Sequence, residues 1–222
     1  MSTTELHPEL AQCVREGWIK HRLVEIPLEG VVISRVNRMF TERLAQSEQA
    51  WANGDWKQYI FSHTEFYRSF ALFEVCFGRD PHHRTQRLSD EEMYPLIGEV
   101  WTNAEHLSWS STALDMFLMP ARGPAIHRKM MTPSEADAFS RLPDQLHLYR
   151  SHDQRNKDGW GWSWTLSRDV AMAFAETYRW ERLTIGWGEK EQVSAYFQRR
   201  GEEEIIADWR HVRIEEMVTL EW

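Results

Sequence analysis

The chain has 222 residues, of which 42% are hydrophobic and 27% are charged, and its formal net charge is -8. This length suits one large domain or a small domain with a helical extension, and the ordinary globular composition excludes a disordered chain. The negative charge argues against sequence-independent binding of nucleic acid, which relies on neutralising phosphates, although it leaves room for a local basic groove. No uninterrupted apolar run is long enough to span a membrane, so we expect no membrane partner.

Cysteine and tryptophan usage adds two expectations. Cys13 and Cys76 lie far apart and match no metal-binding spacing, and the N-terminus lacks the pattern of a secretory leader. We therefore expect a cytoplasmic protein without structural disulfides. The chain also carries twelve Trp. We expect most of these large rings in the core, and the rest could line a groove or stack on a flat ligand.

The first half of the sequence predicts helices. Apolar residues recur with helical spacing in three stretches, from Leu6 to His21, from Val36 to Trp51 and from Trp56 to Phe77. A turn at 53–55 separates the last two stretches, and Gly78 is suited to ending the third. We therefore expect an N-terminal lobe that contains three amphipathic helices.

Two further helix starts follow from capping sequences. Residues 89–92 and 132–135 both have the Ser/Thr-x-x-Glu form of a capping box. Between the third helix and the first box, residues 79–87 predict a loop that contains the adjacent His82 and His83. Because no carboxylate or thiol is suitably spaced around this pair, we expect no metal site there.

After Pro143 the pattern changes from helices to strands, with one well-marked helix. We therefore expect an α+β fold, with a mainly helical lobe at residues 1–143 packed on a strand-rich catalytic core at residues 144–222, together forming one compact unit. The predicted elements of the core are a strand at 146–150, a polar loop at 151–161, a strand at 163–165, a helix capped by Ser167, a hairpin of strands at 183–187 and 193–197, and strands at 204–207 and 212–222.

Three short pieces of this core can carry chemistry. Arg150 ends a predicted strand just before a polar loop, where its planar guanidinium can grip a phosphate or a carboxylate. Taken alone, it could equally form a surface ion pair. Ser163 and Thr165 share one face of a short strand, because strand side chains alternate, and their hydroxyls can fix a carboxylate or a ribose.

The third piece is an acidic triplet that runs into an apolar strand. In an extended conformation Glu202 and Glu204 share a face and Glu203 points away. Two carboxylates that enter one site repel each other, so they need a proton or a positive partner. Acidic runs are usually solvated, but this one adjoins a hydrophobic strand, which favours a functional interpretation.

In this order the three pieces resemble the Arg, Ser-x-Ser/Thr, Glu-x-Glu signature of the Arg-Ser-Glu class of ADP-ribosyltransferases. Residues 148–150 and 171–175 are also similar to compact bacterial and phage members, so the resemblance covers the part of the chain after Pro143. It implies a split, bent, mixed β-sheet with NAD bound in its cleft and no metal. It further implies transfer of ADP-ribose to a macromolecular acceptor, either a protein arginine or a nucleic acid base. The protein could then be a toxin or a phage or host effector, with a neutralising antitoxin as a partner.

The resemblance also implies roles for single residues. Arg150 would hold the NAD phosphates or ribose, and Ser163 would support the nicotinamide site and orient the catalytic acid. Glu204 would bond the nicotinamide ribose and stabilise positive charge as nicotinamide leaves. Glu202 would orient or deprotonate the nucleophile. The remaining residues expected in NAD binding are Tyr149, Trp164, Thr165 and Phe174, although Phe174 also lies on the apolar stripe of its helix and fits a core position.

Two segments of the core are shorter than in large toxin members of the class. Residues 151–162 leave little room for elements that cover the phosphates, and residues 198–201 leave only a short acceptor-recognition loop. Both features concern the choice of acceptor more than the binding of NAD. The alternatives are therefore an NAD glycohydrolase that uses water as acceptor, or a non-catalytic partner-binding protein with a decayed site.

Overall fold

The computed structural model describes residues 5–80, 87–103, 122–156 and 161–222. The predicted His82 and His83 pair lies outside these residues, as does part of the polar loop before Gly161. Within them the fold is α+β, with a helical N-terminal region and strands that pair antiparallel. The chain divides into two compact units. The first unit contains the described residues 5–80, 87–89 and 103, and the second unit contains 90–102, 122–156 and 161–222.

The first unit begins with one helical turn and a small antiparallel sheet, so the long helix predicted from Leu6 to His21 is wrong. The chain turns at Glu16 and Gly17, whose φ angles are 51° and 78°, and positive φ interrupts a right-handed helix. Ile19 is fully buried between two exposed neighbours, which is the alternation of a strand. The elements are α1 (Pro8–Gln12), β1 (Val14–Arg15), β2 (Trp18–His21) and β3 (Val24–Pro27).

Three helices complete the described part of the first unit. The second predicted helix is confirmed and ends at Gly54, which has a left-handed φ of 70°. The predicted third helix is split in two, because His63 and Thr64 are extended and the Thr64 amide donates to the carbonyl of Arg22. The last of the three ends before Gly78, as predicted. These helices are α2 (Ile33–Asn53), α3 (Trp56–Ser62) and α4 (Arg68–Phe77).

The second unit contains four helices and six strands among its described residues. All three helix starts predicted from capping sequences after residue 88 are confirmed, and the capping box of Thr132 and Glu135 is complete in both directions. The elements are α5 (Asp90–Thr102), α6 (Gly123–His127), α7 (Pro133–Ser140), β4 (Gln145–His152), β5 (Ser163–Thr165), α8 (Arg168–Tyr178), β6 (Arg182–Glu189), β7 (Val193–Phe197), β8 (Glu204–Ala207) and β9 (Val212–Thr219).

The six strands form one sheet in the order β7-β8-β5-β4-β6-β9. Within the described residues its strands pair only antiparallel, whereas the resemblance implies a mixed sheet. The predicted hairpin of β6 and β7 is wrong, because β6 pairs with β4 and β9 while β7 pairs with β8. A 3-10 turn at Lys190–Gln192 separates the two strands, and the Lys190 amide donates to the carbonyl of Asp144 instead of closing a hairpin.

Strand β4 is the centre of this sheet and extends further than predicted. Ser151 and His152, expected in a loop, are buried strand residues paired with β6. Alternate side chains of β4 enter two clusters: Leu148 packs with Trp164, and Tyr149 packs with the cluster of Leu183 and its neighbours. The sheet thus carries apolar packing on both faces. The boundary between residues 143 and 144 stays a prediction.

Candidate active site

The pairing of β5 with β8 brings Ser163 and Glu204 together. Thr165 lies opposite Glu204 and Ser163 opposite Ile206. Paired strand residues point to the same face, and so do residues two apart. The Ser163 hydroxyl therefore reaches Glu204 diagonally across the strands and donates to its Oε1 at 2.5 Å. A serine and a glutamate 41 positions apart in the chain are thus in direct contact.

A second donor to Glu204 comes from α5, which sequence reasoning did not assign to the site. The indole Nε1 of Trp101 donates to the same Oε1 atom at 2.9 Å. The capping sequence predicts the helix that carries Trp101, but nothing in the local sequence indicates that its ring turns toward Glu204. Both donors bind Oε1, and no described residue donates to Oε2.

Burial and hydrogen bonding act in opposite directions on the Glu204 carboxyl. Burial raises the pKa of Glu204, because desolvation disfavours the charged form. The hydrogen bonds from Ser163 and Trp101 lower the pKa, and the charge of Glu202 raises it again. The net pKa lies above the ordinary value of a glutamate. A carboxyl in such surroundings is typical of a functional group rather than of a solvated surface.

Arg150 is connected to this pair through the backbone of Ser163. Its Nη1 donates to the Ser163 carbonyl at 2.5 Å, and its Nε is buried without a hydrogen-bond partner among the described residues. Burial lowers the pKa of Arg150 to about 10, and the charge of Glu204 acts in the opposite direction. The guanidinium is therefore a buried cation with unused donor capacity, rather than half of a surface ion pair.

The side chains of Arg150 and Tyr149 leave β4 on opposite faces, because they are consecutive strand residues. The Tyr149 hydroxyl bonds Nδ1 of His147 at 2.9 Å. Tyr149 lies opposite Thr165 in the sheet and so belongs to the row of side chains that includes Glu204. Its expected contact with NAD stays a prediction.

Three other residues expected in NAD binding have neighbours of their own. The Thr165 hydroxyl donates to the Glu202 carbonyl at 2.6 Å and accepts from the Ser167 amide at 3.1 Å, so it fixes the turn into α8. Trp164 is buried in the apolar cluster, and its Nε1 has no partner among the described residues. Phe174 is half-buried and stacks on Tyr178 with ring centroids 6.2 Å apart. The roles of these three residues in NAD binding stay predictions.

The acidic triplet does not have the uniformly extended conformation that we expected. Glu203 has a φ of 46° and β8 begins only at Glu204, so strand alternation does not relate Glu202 to Glu204. The two carboxyls nevertheless interact, since the charge of Glu202 raises the pKa of Glu204. Burial raises the pKa of Glu202 itself, and Arg200 opposes that shift. Glu203 is exposed, in agreement with its predicted outward direction.

Among the described residues, no group of three or more His, Cys, Asp or Glu side chains could hold a metal ion. No helix in the same part of the chain is both long and apolar enough to cross a membrane. No protein-family model, curated protein or solved structure matches this chain.

Proposed function

We propose that this protein cleaves NAD and transfers its ADP-ribose to a macromolecular acceptor. One observation carries the proposal: two hydrogen bonds through Ser163 connect Arg150 with the Glu204 carboxyl. Ser163 bonds Glu204 through its hydroxyl and Arg150 through its carbonyl. Arginine, serine and glutamate, in this order along the chain, are the residues on which the resemblance to ADP-ribosyltransferases rests.

These three side chains suit the cleavage of the glycosidic bond of NAD, in which the nicotinamide ring is cationic. When the bond between nicotinamide and ribose breaks, nicotinamide leaves as a neutral base and positive charge develops on the ribose. The Glu204 carboxylate, held through Oε1, can stabilise that charge, and its Oε2 can accept a hydrogen bond from a ribose hydroxyl. The buried charge and unused donors of Arg150 suit an anionic diphosphate. Glu202, with its raised pKa, is suited to take the proton of the incoming nucleophile.

The decisive test is nicotinamide release by Glu204→Gln. This change keeps the size of the side chain and its ability to accept from Ser163 and Trp101, but it removes the negative charge. We expect kcat for nicotinamide release from NAD to fall by about a hundredfold or more, the usual cost of losing a preorganised electrostatic group. Circular dichroism and the thermal midpoint should show that the variant is folded.

Glu203→Gln is the matched control, because it removes a charge from the adjacent exposed residue. Its rate should stay within about twofold of that of the unsubstituted protein, since surface charges contribute little. Equal turnover by Glu204→Gln would contradict the proposal. Calorimetry that shows no NAD binding at millimolar concentration would instead support a partner-binding protein with a decayed site.

Hydrolysis of NAD is a second candidate, favoured by the turn before Glu204. This turn is short, and both of its arginines are engaged: Arg199 bonds Glu135 and Thr102, and Arg200 bonds the Thr102 carbonyl. A turn tied down in this way offers little surface for recognising a large acceptor. Mass spectrometry of candidate proteins and oligonucleotides separates the two reactions, because a glycohydrolase releases free ADP-ribose and leaves no adduct.

A further inference from the structure

The two donors to Glu204 are held in place in different ways. Ser163 belongs to the strand paired with β8, so the sheet itself fixes its distance from Glu204. Trp101 belongs to the last turn of α5 and is 103 positions from Glu204 in the chain. Its contact therefore depends on how α5 is held within the second unit.

The last turn of α5 is fixed by the residues that lead into the acidic triplet. Arg199 donates through Nη1 to the Thr102 hydroxyl at 2.9 Å and to the Gly98 carbonyl at 3.3 Å. Arg200 donates through Nε to the Thr102 carbonyl at 2.7 Å. The segment that ends in Glu204 thus bonds the same helical turn that supplies the indole of Trp101. This double attachment fixes the indole relative to the carboxyl.

The arrangement of donors gives the two carboxyl oxygens different tasks. Oε1 accepts from Ser163 and from Trp101, whereas Oε2 accepts from no described residue. Two donors from different directions restrict rotation of a carboxyl about its last torsion, which is otherwise broad. With Ser163 alone the plane of the group would be free to turn about one contact.

We propose that Trp101 is a positioning residue that, together with Ser163, fixes the Glu204 carboxyl with Oε2 directed toward the substrate. The inference rests on the proposed function, in which Glu204 acts on the ribose of NAD. Trp101 itself touches Glu204 and acts through it. Its N–H also favours the ionised carboxyl, which burial disfavours.

Trp101→Phe tests the proposal, because it keeps an aromatic ring and removes only the donor and the second ring. Loss of a hydrogen bond to a charged group predicts a fall in kcat for nicotinamide release of roughly tenfold to a hundredfold. KM for NAD should stay within about twofold, since the donor does not contact NAD. The acidic limb of the pH profile of kcat should move to higher pH by about one unit, because the carboxyl that loses a donor is harder to ionise.

Trp187→Phe is the matched control. The Trp187 indole also donates to a glutamate, Glu215 Oε2, at 2.9 Å, so the chemical change is the same at a place without contact to Glu204. We expect it to leave both kcat and the acidic limb unchanged. If Trp101→Phe lowers the thermal midpoint but leaves the acidic limb in place, Trp101 only packs and the proposal is overturned.

A spectroscopic measurement separates this proposal from the proposed function. The carboxyl of Glu204 can be titrated by carbon NMR in the full chain, with or without activity. Trp101→Phe should raise its pKa by about one unit, and Glu204→Gln should shift the indole N–H signal of Trp101 but not that of Trp187.

If the unsubstituted protein releases no nicotinamide while these shifts occur, the proposed function fails and the positioning contact stands. Unchanged signals and an unchanged titration would overturn the contact, and the indole signals decide the matter even if Trp101→Phe does not fold.

Discussion

Gly161 lies so close to Arg150 that a side chain would have no space. A Cβ at Gly161 would lie 2.3 Å from Nη2 and 2.4 Å from Cζ of the guanidinium, well inside van der Waals contact. Gly161→Ala should therefore displace the Arg150 guanidinium and weaken its bond to the Ser163 carbonyl. We expect Kd for NAD, measured by calorimetry, to rise about tenfold, a cost typical of one misplaced charge-assisted hydrogen bond.

The control for this substitution is Gly123→Ala in the same unit. A Cβ at Gly123 meets nothing within 4 Å, but its φ of 71° strains any other residue. Gly123→Ala should thus cost about 1 kcal/mol of stability without changing the affinity for NAD. If Gly161→Ala binds NAD as tightly as the unsubstituted protein, Arg150 does not hold the cofactor in its present position.

The residues of the candidate site differ in how far sequence could identify them. Ser163 and Glu204 begin their strands and Arg150 shortly precedes a glycine-rich loop, so local pattern and their order along the chain single these residues out. Trp101 could not be identified in this way, because its importance depends on a contact with Glu204 across 103 positions. The conformation of Glu203 could not be predicted either, because its positive φ belongs to a turn that the alternation of strand residues does not reveal.

Arg199 connects α5, α7 and the Met130 carbonyl through one guanidinium. It bonds both carboxyl oxygens of Glu135 on α7, at 3.0 and 2.9 Å, the Met130 carbonyl at 3.3 Å, and the last turn of α5. Burial raises the pKa of Glu135, but the hydrogen bonds from Arg199 and Thr132 outweigh it, so the pKa lies below the ordinary value. Arg199→Met would leave Glu135 buried without its cation, and we expect a loss of about 3–5 kcal/mol in the free energy of unfolding.

A second substitution shows whether the uncompensated charge is the cause. Glu135→Gln can keep the capping box of α7, since glutamine also serves at that position, but it carries no charge. Added to Arg199→Met, it should restore about 1–2 kcal/mol of the lost free energy in urea titrations. A double variant as unstable as Arg199→Met alone would show that the lost bonds to α5, rather than the stranded charge, dominate.

At the level of elements, sequence succeeded where the determining interactions are local. The starts of α7 and α8 follow from side chains that cap amides three residues away. The prediction that β6 and β7 pair is wrong because strands adjacent in the chain need not be adjacent in a sheet. These two strands lie on different sides of β4. The helix predicted at residues 6–21 is wrong because apolar spacings of three and four also occur by chance in a short strand–turn–strand segment. The chain reverses direction at Gly17, which interrupts any helix there.

His63 in the first unit and Glu204 in the second unit both have pKa values displaced by burial, and the two displacements have opposite directions. In the first unit, burial lowers the pKa of His63 to about 4. In the second unit, burial raises the pKa of Glu204. Sequence could not indicate either shift, because both depend on how completely neighbouring elements exclude water. As pH falls, protonation of His63 should therefore lower the stability of the folded protein, and protonation of Glu204 should raise it.

For His63 the folded pKa lies below the unfolded value of about 6.5, so its neutral form contributes stability that is present above pH 6.5 and is lost as pH falls toward 4. His63→Asn keeps an amide that can donate to the Tyr59 carbonyl, as Nδ1 of His63 can, and does not titrate. The free-energy difference between the unsubstituted protein and His63→Asn should shrink on going from pH 7 to pH 4, by at most about 3 kcal/mol.

For Glu204 the folded pKa lies above the unfolded value, so the cost of burying its charge is absent below pH 4 and complete only above the raised pKa. Glu204→Gln, inactive in our proposal, should therefore be more stable than the unsubstituted protein at pH 7, and this advantage should vanish as pH falls to 4. Urea titrations of both variants across this range should give pH dependences of opposite sign. Relative to the unsubstituted protein, His63→Asn gains stability as pH falls, and Glu204→Gln loses its advantage. If Glu204→Gln remains more stable than the unsubstituted protein at pH 4, the destabilisation at this site has a cause other than the buried charge. Residues that serve function at a cost in stability are expected at active sites.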